Sequence, residues 1–81
     1  YYAEAYEAKG MYLEKIGQKE EAYKMYFQAM DVNPNLGFSL QKAIVMAQAL
    51  GKTEEVRLSL ERSAAFLPDN LEVFQALNKL K

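Results

Sequence analysis

The sequence predicts an all-α domain of five antiparallel helices built from a repeated two-helix unit. Three observations predict it. Pro34 and Pro68 lie 34 positions apart, each followed within three residues by a leucine, Leu36 or Leu71. Gly17 and Gly51 are also 34 apart, and each opens a polar stretch containing paired glutamates, "GQKEEAY" at 17–23 and "GKTEEVR" at 51–57. Between these breaks the apolar residues recur at i, i+3, i+4 and i+7, the period of a helix with one covered face. Two independent breakers repeating at one interval signal a stacked array of helix pairs.

The first helix is expected over 2–16, with Tyr2, Tyr6, Leu13 and Ile16 on its inner stripe. Gly17 suits a left-handed turn ending it. A second helix, about 19–31, places Ala22, Tyr26, Ala29 and Met30 on one face. The third, 36–50, carries Leu36, Leu40, Ala43, Ile44, Ala47 and Leu50 inward, and the helix after Gly51 carries Val56, Leu60 and Ser63. Glu20, Glu21, Glu54 and Glu55 fall in the first turns of the second and fourth helices, where carboxylates meet the positive end of the helix dipole. Asp69, three residues before Glu72, reads as a capping box for a fifth helix over about 70–80, with Leu71, Phe74, Leu77 and Leu80 inward.

These residues resemble the tetratricopeptide repeat. That family's unit has an aromatic and then a small residue one turn later, a Gly between its helices, an Ala, an aromatic and a second Ala on the second helix, and a Pro at the exit. The first unit here, about 3–36, supplies Tyr6, Gly10, Gly17, Ala22, Tyr26, Ala29 and Pro34. It departs at Lys9, usually apolar, and at Leu13, usually Tyr. The second unit, about 37–70, keeps Leu40, Gly51, Leu60 and Pro68 but has Ile44, Val56 and Ser63 where small residues are usual. Ile44 beside Ala43 is a local exchange of large and small that would alter the helix crossing. A partial third unit or capping helix covers 71–81, so residues 1–81 form one domain. The resemblance implies a right-handed superhelix with a concave binding wall. Small residues at 10, 22 and 29 would let the helices of a unit nest closely, and bulk there should overpack.

Superposing units at the 34-residue stride makes Glu4, Phe38 and Glu72 equivalent, likewise Glu7, Gln41 and Gln75, and Met11, Val45 and Lys79, with Glu14 above Gln48. Under the resemblance these line the concave wall, together with Lys42. Phe38 and Val45, seven apart, form an apolar anchor for a peptide or helix of a partner protein, and Glu4, Glu7 and Glu14 favour a basic residue on it. The alternative is that Phe38 packs on the preceding unit's second helix and the glutamates form a solvated face. A subclass of the family grips the acidic C-termini of heat-shock chaperones with Lys, Asn and Arg. The matching positions here are Glu7, Met11, Lys42, Glu72 and Ala76, of which only Lys42 is basic, so an acidic C-terminus would be repelled.

Composition bounds the remaining classes. The 81 residues carry a formal net charge of -1 with acids and bases interspersed, which gives no basic footprint for nucleic acid. No apolar run approaches the roughly 18 residues of a membrane span, so no membrane insertion is expected. With no His, no Cys, two Asp and three Ser, the chain lacks the parts of a nucleophile–base dyad or a transition-metal site; neither catalysis nor a cofactor is expected. The paired glutamates point about 100° apart on a helix and should be solvated. The four Gly residues stand alone and form no phosphate loop.

All six Tyr fall within the first 26 residues, more than one helix face can bury. Tyr1, Tyr2 and Tyr12 could cover a preceding unit or a second copy of the chain, making a homo-oligomer; the alternative is aromatic filling of the first unit plus exposed rings. Arrays of fewer than three units bury little core, which favours either further units or dimerisation. Met25, Met30 and Met46 read as adaptable packing. The chain opens at Tyr1-Tyr2 with no initiator Met, which suggests a piece of a longer protein.

Overall fold

The structure is a computed structural model that describes residues 2–66 and 69–80. Among these residues the chain forms five α-helices and no strand: α1 Tyr2–Lys15, α2 Lys19–Val32, α3 Gly37–Leu50, α4 Thr53–Phe66 and α5 Leu71–Lys79.

The breaks between helices follow directly from the punctuating residues. Gly17 and Gly51 both adopt a left-handed backbone, with φ of 86° and 72°, a region that L side chains reach only at a cost. After each, the next amide reaches back five residues: Gln18 N–H donates to the Leu13 carbonyl at 2.9 Å and Lys52 N–H to the Ala47 carbonyl at 2.8 Å. Donors, acceptors and glycines are all displaced by the same 34 residues, so one turn has been built twice. At the exit from α2, Leu36 N–H donates to the Asn33 carbonyl at 3.1 Å and Asn35 N–H to Asn33 Oδ1 at 3.0 Å. Pro34 sits at the second position of that turn, which its fixed φ favours. Its counterpart Pro68 lies outside the described residues.

The core forms along α2, α3 and α4. Ala22, Tyr26, Ala29 and Met30 are fully buried, as are Leu40, Ala43, Ala47, Val56 and Leu60, with Ile44 nearly so. On α4, Ser59 is buried and donates to Asp31 at 2.6 Å, while Ser63 is half-buried. Close approach within the first unit is real: a Cβ added to Gly10 would meet the Tyr26 ring at 3.0–3.2 Å. Each helix packs on the next, and α2 also packs on α4 and α3 on α5. Neighbour and next-but-one contacts of this kind fit a helical repeat.

Three sequence expectations are corrected. On α1 the buried residues are Ala3 and Gly10, with Tyr6 and Leu13 half-buried, whereas Tyr2 and Ile16 are exposed. On α5, Val73 and Ala76 are buried and Leu77 and Leu80 partly so, while Leu71 and Phe74 are exposed at 66% and 40%. These are the first and last helices among the described residues, each with described neighbours on one side only, and the residues turned toward that side are the ones buried. The cap of α5 is Asn70, not Asp69: the helix begins at Leu71, and the side chain of the residue just before it reaches the Val73 amide, at 3.2 Å.

Candidate peptide-binding face

The odd-numbered helices α1, α3 and α5 carry the residues assigned to a binding wall, and side-chain bonds tie these helices together. Ser39 Oγ donates to Glu7 Oε2 at 2.7 Å, and Lys42 Nζ donates to Glu14 Oε2 at 2.8 Å, joining α3 to α1. Lys79 Nζ donates to Gln41 at 3.3 Å, joining α5 to α3. The even helices repeat the arrangement, with Tyr23 donating to Glu55 at 2.6 Å and Ser59 to Asp31. Glu7–Ser39 and Tyr23–Glu55 both span 32 residues, and Glu14–Lys42 and Asp31–Ser59 both span 28. Matching separations on the two layers fit a helical repeat.

A shallow depression of about 340 Å³ opens between α1 and α3, lined by Met11, Glu14, Lys15, Tyr26, Phe38 and Lys42. It therefore unites four of the assigned residues: Met11, Glu14, Phe38 and Lys42. Val45 is 60% exposed but does not line it. Glu4, Gln41, Gln48, Glu72, Gln75 and Lys79 are exposed outside it, and Glu7 is half-buried beneath its bond to Ser39.

Phe38 packs on the preceding unit and still keeps part of its surface exposed. Its ring stands edge-on to Tyr26, on the preceding unit's second helix, with centroids 6.0 Å apart, yet 48% of the residue remains exposed. The Lys42 ammonium lies 5.8 Å from the same ring centre, within cation–π range.

Two residues of the depression, Lys15 and Tyr26, were not assigned to the wall from sequence. Tyr26 was legible as core and is fully buried, yet it lines the depression and its hydroxyl donates to Glu14 Oε1 at 2.9 Å. A buried Tyr needs a partner for that hydroxyl, which is the signal that could have placed it. Glu14 thus accepts from two donors. The hydrogen bond from the Lys42 ammonium is the main cause holding its carboxyl below the usual value of 4.5; burial opposes it, and the Tyr26 hydroxyl adds a smaller lowering effect. Burial first, and then the neighbouring Glu14 carboxylate, push the Tyr26 phenol above its ordinary range.

A larger depression, about 670 Å³, lies along α4 beside α2 and is lined by Phe27, Glu55, Leu58, Glu61, Arg62 and Ala65. Its polar groups are tied within the chain: Glu55 to Tyr23, Glu61 to Arg57 at 2.8 Å and Arg62 to Asp31 at 3.3 Å.

Tyr2 and Tyr12, assigned to self-association, are 68% and 62% exposed on α1; Tyr1 lies outside the described residues. No helix among the described residues is long and apolar enough to cross a membrane. Comparison with protein-family models, with curated proteins and with solved structures finds no match for this chain.

Proposed function

We propose that this chain is a tetratricopeptide-type solenoid unit, a right-handed superhelix of helix pairs. Its inner wall, formed by α1, α3 and α5, holds a segment of a partner protein. The observation that carries this reading is the depression between α1 and α3, where Met11 and Phe38 each leave about half their surface exposed beside Glu14 and Lys42. An apolar patch rimmed by charge is how a peptide side chain is anchored and oriented. Lys42 is neutralised by Glu14 and Lys15 is the cation left at the rim of the depression, while Glu4, Glu7 and Glu72 on the surrounding wall favour a basic residue placed beside the apolar anchor and away from Lys15.

A random-peptide display library selected on the immobilised chain tests the proposal. It should enrich sequences that pair an aromatic or aliphatic residue with Lys or Arg. The selected peptides should bind the Phe38→Ala, Val45→Ala double variant about tenfold more weakly or worse. Enrichment of acidic peptides, or unchanged binding by the double variant, would remove the inner wall from consideration.

Self-association is the second reading, favoured by large apolar side chains exposed at both ends of the array: Tyr2 and Tyr12 on α1, Leu71 and Phe74 on α5.

A further inference from the structure

The charges of the inner wall have an order. At 3.6 residues per turn, Glu4, Met11 and Lys15 fall within about 40° of one another around the axis of α1, so one face reads acid, apolar, base from its start to its end. Glu4 and Lys15 are exposed, and among the described residues neither has an ion-pair partner. A carboxylate in the first turn and an ammonium in the last both suit the helix dipole, but the dipole does not choose the side of the helix that carries them. Both stand on the side of Met11, and Met11 and Lys15 line the depression with Phe38.

The other two helices of the wall keep the same sense. Glu7 meets Ser39 and Glu14 meets Lys42, so α1 and α3 run the same way. The Glu72 carboxylate lies over Gly37 at the start of α3, and Lys79 donates to Gln41 one turn further on, so α5 runs with them. Unpaired acid therefore stands at the starts of α1 and α5 and unpaired base at their ends, while Lys42 between them is paired with Glu14.

We infer that the ligand of this wall is an extended segment whose apolar anchor carries a basic side chain on one flank and an acidic side chain on the other, the acid meeting Lys15 and the base Glu4. The inference rests on the inner-wall reading above and adds the charge of both flanks. A uniformly acidic or uniformly basic segment would set like charges together at one end of the wall. With a rise of 1.5 Å per residue, Lys15 lies ~6 Å and Glu4 ~10 Å from Met11 along the axis of α1. In an extended chain running along α1, at ~3.3 Å per residue, the acid then lies about two residues from the anchor and the base about three residues away on the other side. Either chain direction satisfies this spacing.

Three short peptides with blocked ends test the inference by fluorescence anisotropy. They share one Phe and differ in the residues at those two spacings: Lys and Glu, Lys and Lys, or Glu and Glu. The mixed peptide should bind the parent chain about threefold more tightly than either of the others, with an advantage that shrinks as salt is added. Lys15→Glu should move the preference to the Lys-flanked peptide, and Glu4→Lys should move it to the Glu-flanked one. A preference that moves to a different peptide cannot arise from a misfolded variant. Equal binding of the three peptides by the parent chain, or preferences that stay unmoved in the variants, overturns the inference; the wall itself survives that result if binding still needs the peptide's Phe. Binding of no peptide up to ~1 mM overturns the wall and the inference together.

Discussion

Lys42 on α3 and Glu14 on α1 meet at 2.8 Å across the boundary between the first two helix pairs, each side chain about one-third exposed. The pair joins consecutive units, and Tyr26 ties it to the buried layer beneath through its hydroxyl bond to Glu14. Glu14 therefore links the surface of the inner wall to the core.

Acid should weaken this link. The folded-state pKa of Glu14 is depressed, so its contribution is present above the usual value of 4.5 and is lost as pH falls through the folded value. Because the pair is part-exposed, the effect is about 0.5 kcal/mol. Glu14→Gln removes the charge and leaves one acceptor oxygen where the carboxylate offered two, one to Tyr26 and one to Lys42. Urea unfolding of parent and variant at pH 7 and pH 3 should show the variant losing less stability on acidification. Equal losses would mean that the pair contributes nothing.

Bulk at the nested position between α1 and α2 should be costly, while bulk on the outer face of α1 should not. Ala22 is fully buried and Ala8 is exposed. Ala22→Leu should overpack by roughly 1–3 kcal/mol, lowering the melting temperature by several degrees, whereas Ala8→Leu should stay within about 0.5 kcal/mol. Thermal unfolding of the two variants side by side decides the matter, and similar melting temperatures would contradict the packing.

The start of α5 offers a third measurement. Asn70 caps the Val73 amide and also donates to Asn35 at 2.5 Å, whereas Asp69 is exposed and caps nothing. Asn70→Ala should cost about 1 kcal/mol and speed hydrogen exchange at Val73; Asp69→Ala should do neither. Asn70→Asp retains the cap but loses the bond to Asn35, so it should fall between them.

The inner wall was legible in sequence as a set of equivalent positions. What was not legible is which of them meet. Met11 and Phe38 line one depression, while Val45, seven residues from Phe38 and on the same face of α3, does not line it. Spacing within a helix fixes which residues share a face, and the neighbouring helix fixes which of those residues come together.

The sequence by itself determined the 34-residue stride, the helix limits set by Gly17 and Gly51, and the inward faces of α2 and α3. Each of these is a local consequence of backbone sterics or of 3.6-residue periodicity. Tertiary structure alone decided the rotation of the end helices, which buries Ala3 and Val73 while leaving Tyr2 and Phe74 exposed, and the pairing of Glu14 with Lys42. An interior helix is covered on several sides, so its apolar stripe announces its orientation. A helix at the end of a stack touches neighbours on one side only, and its orientation follows from the surface it meets.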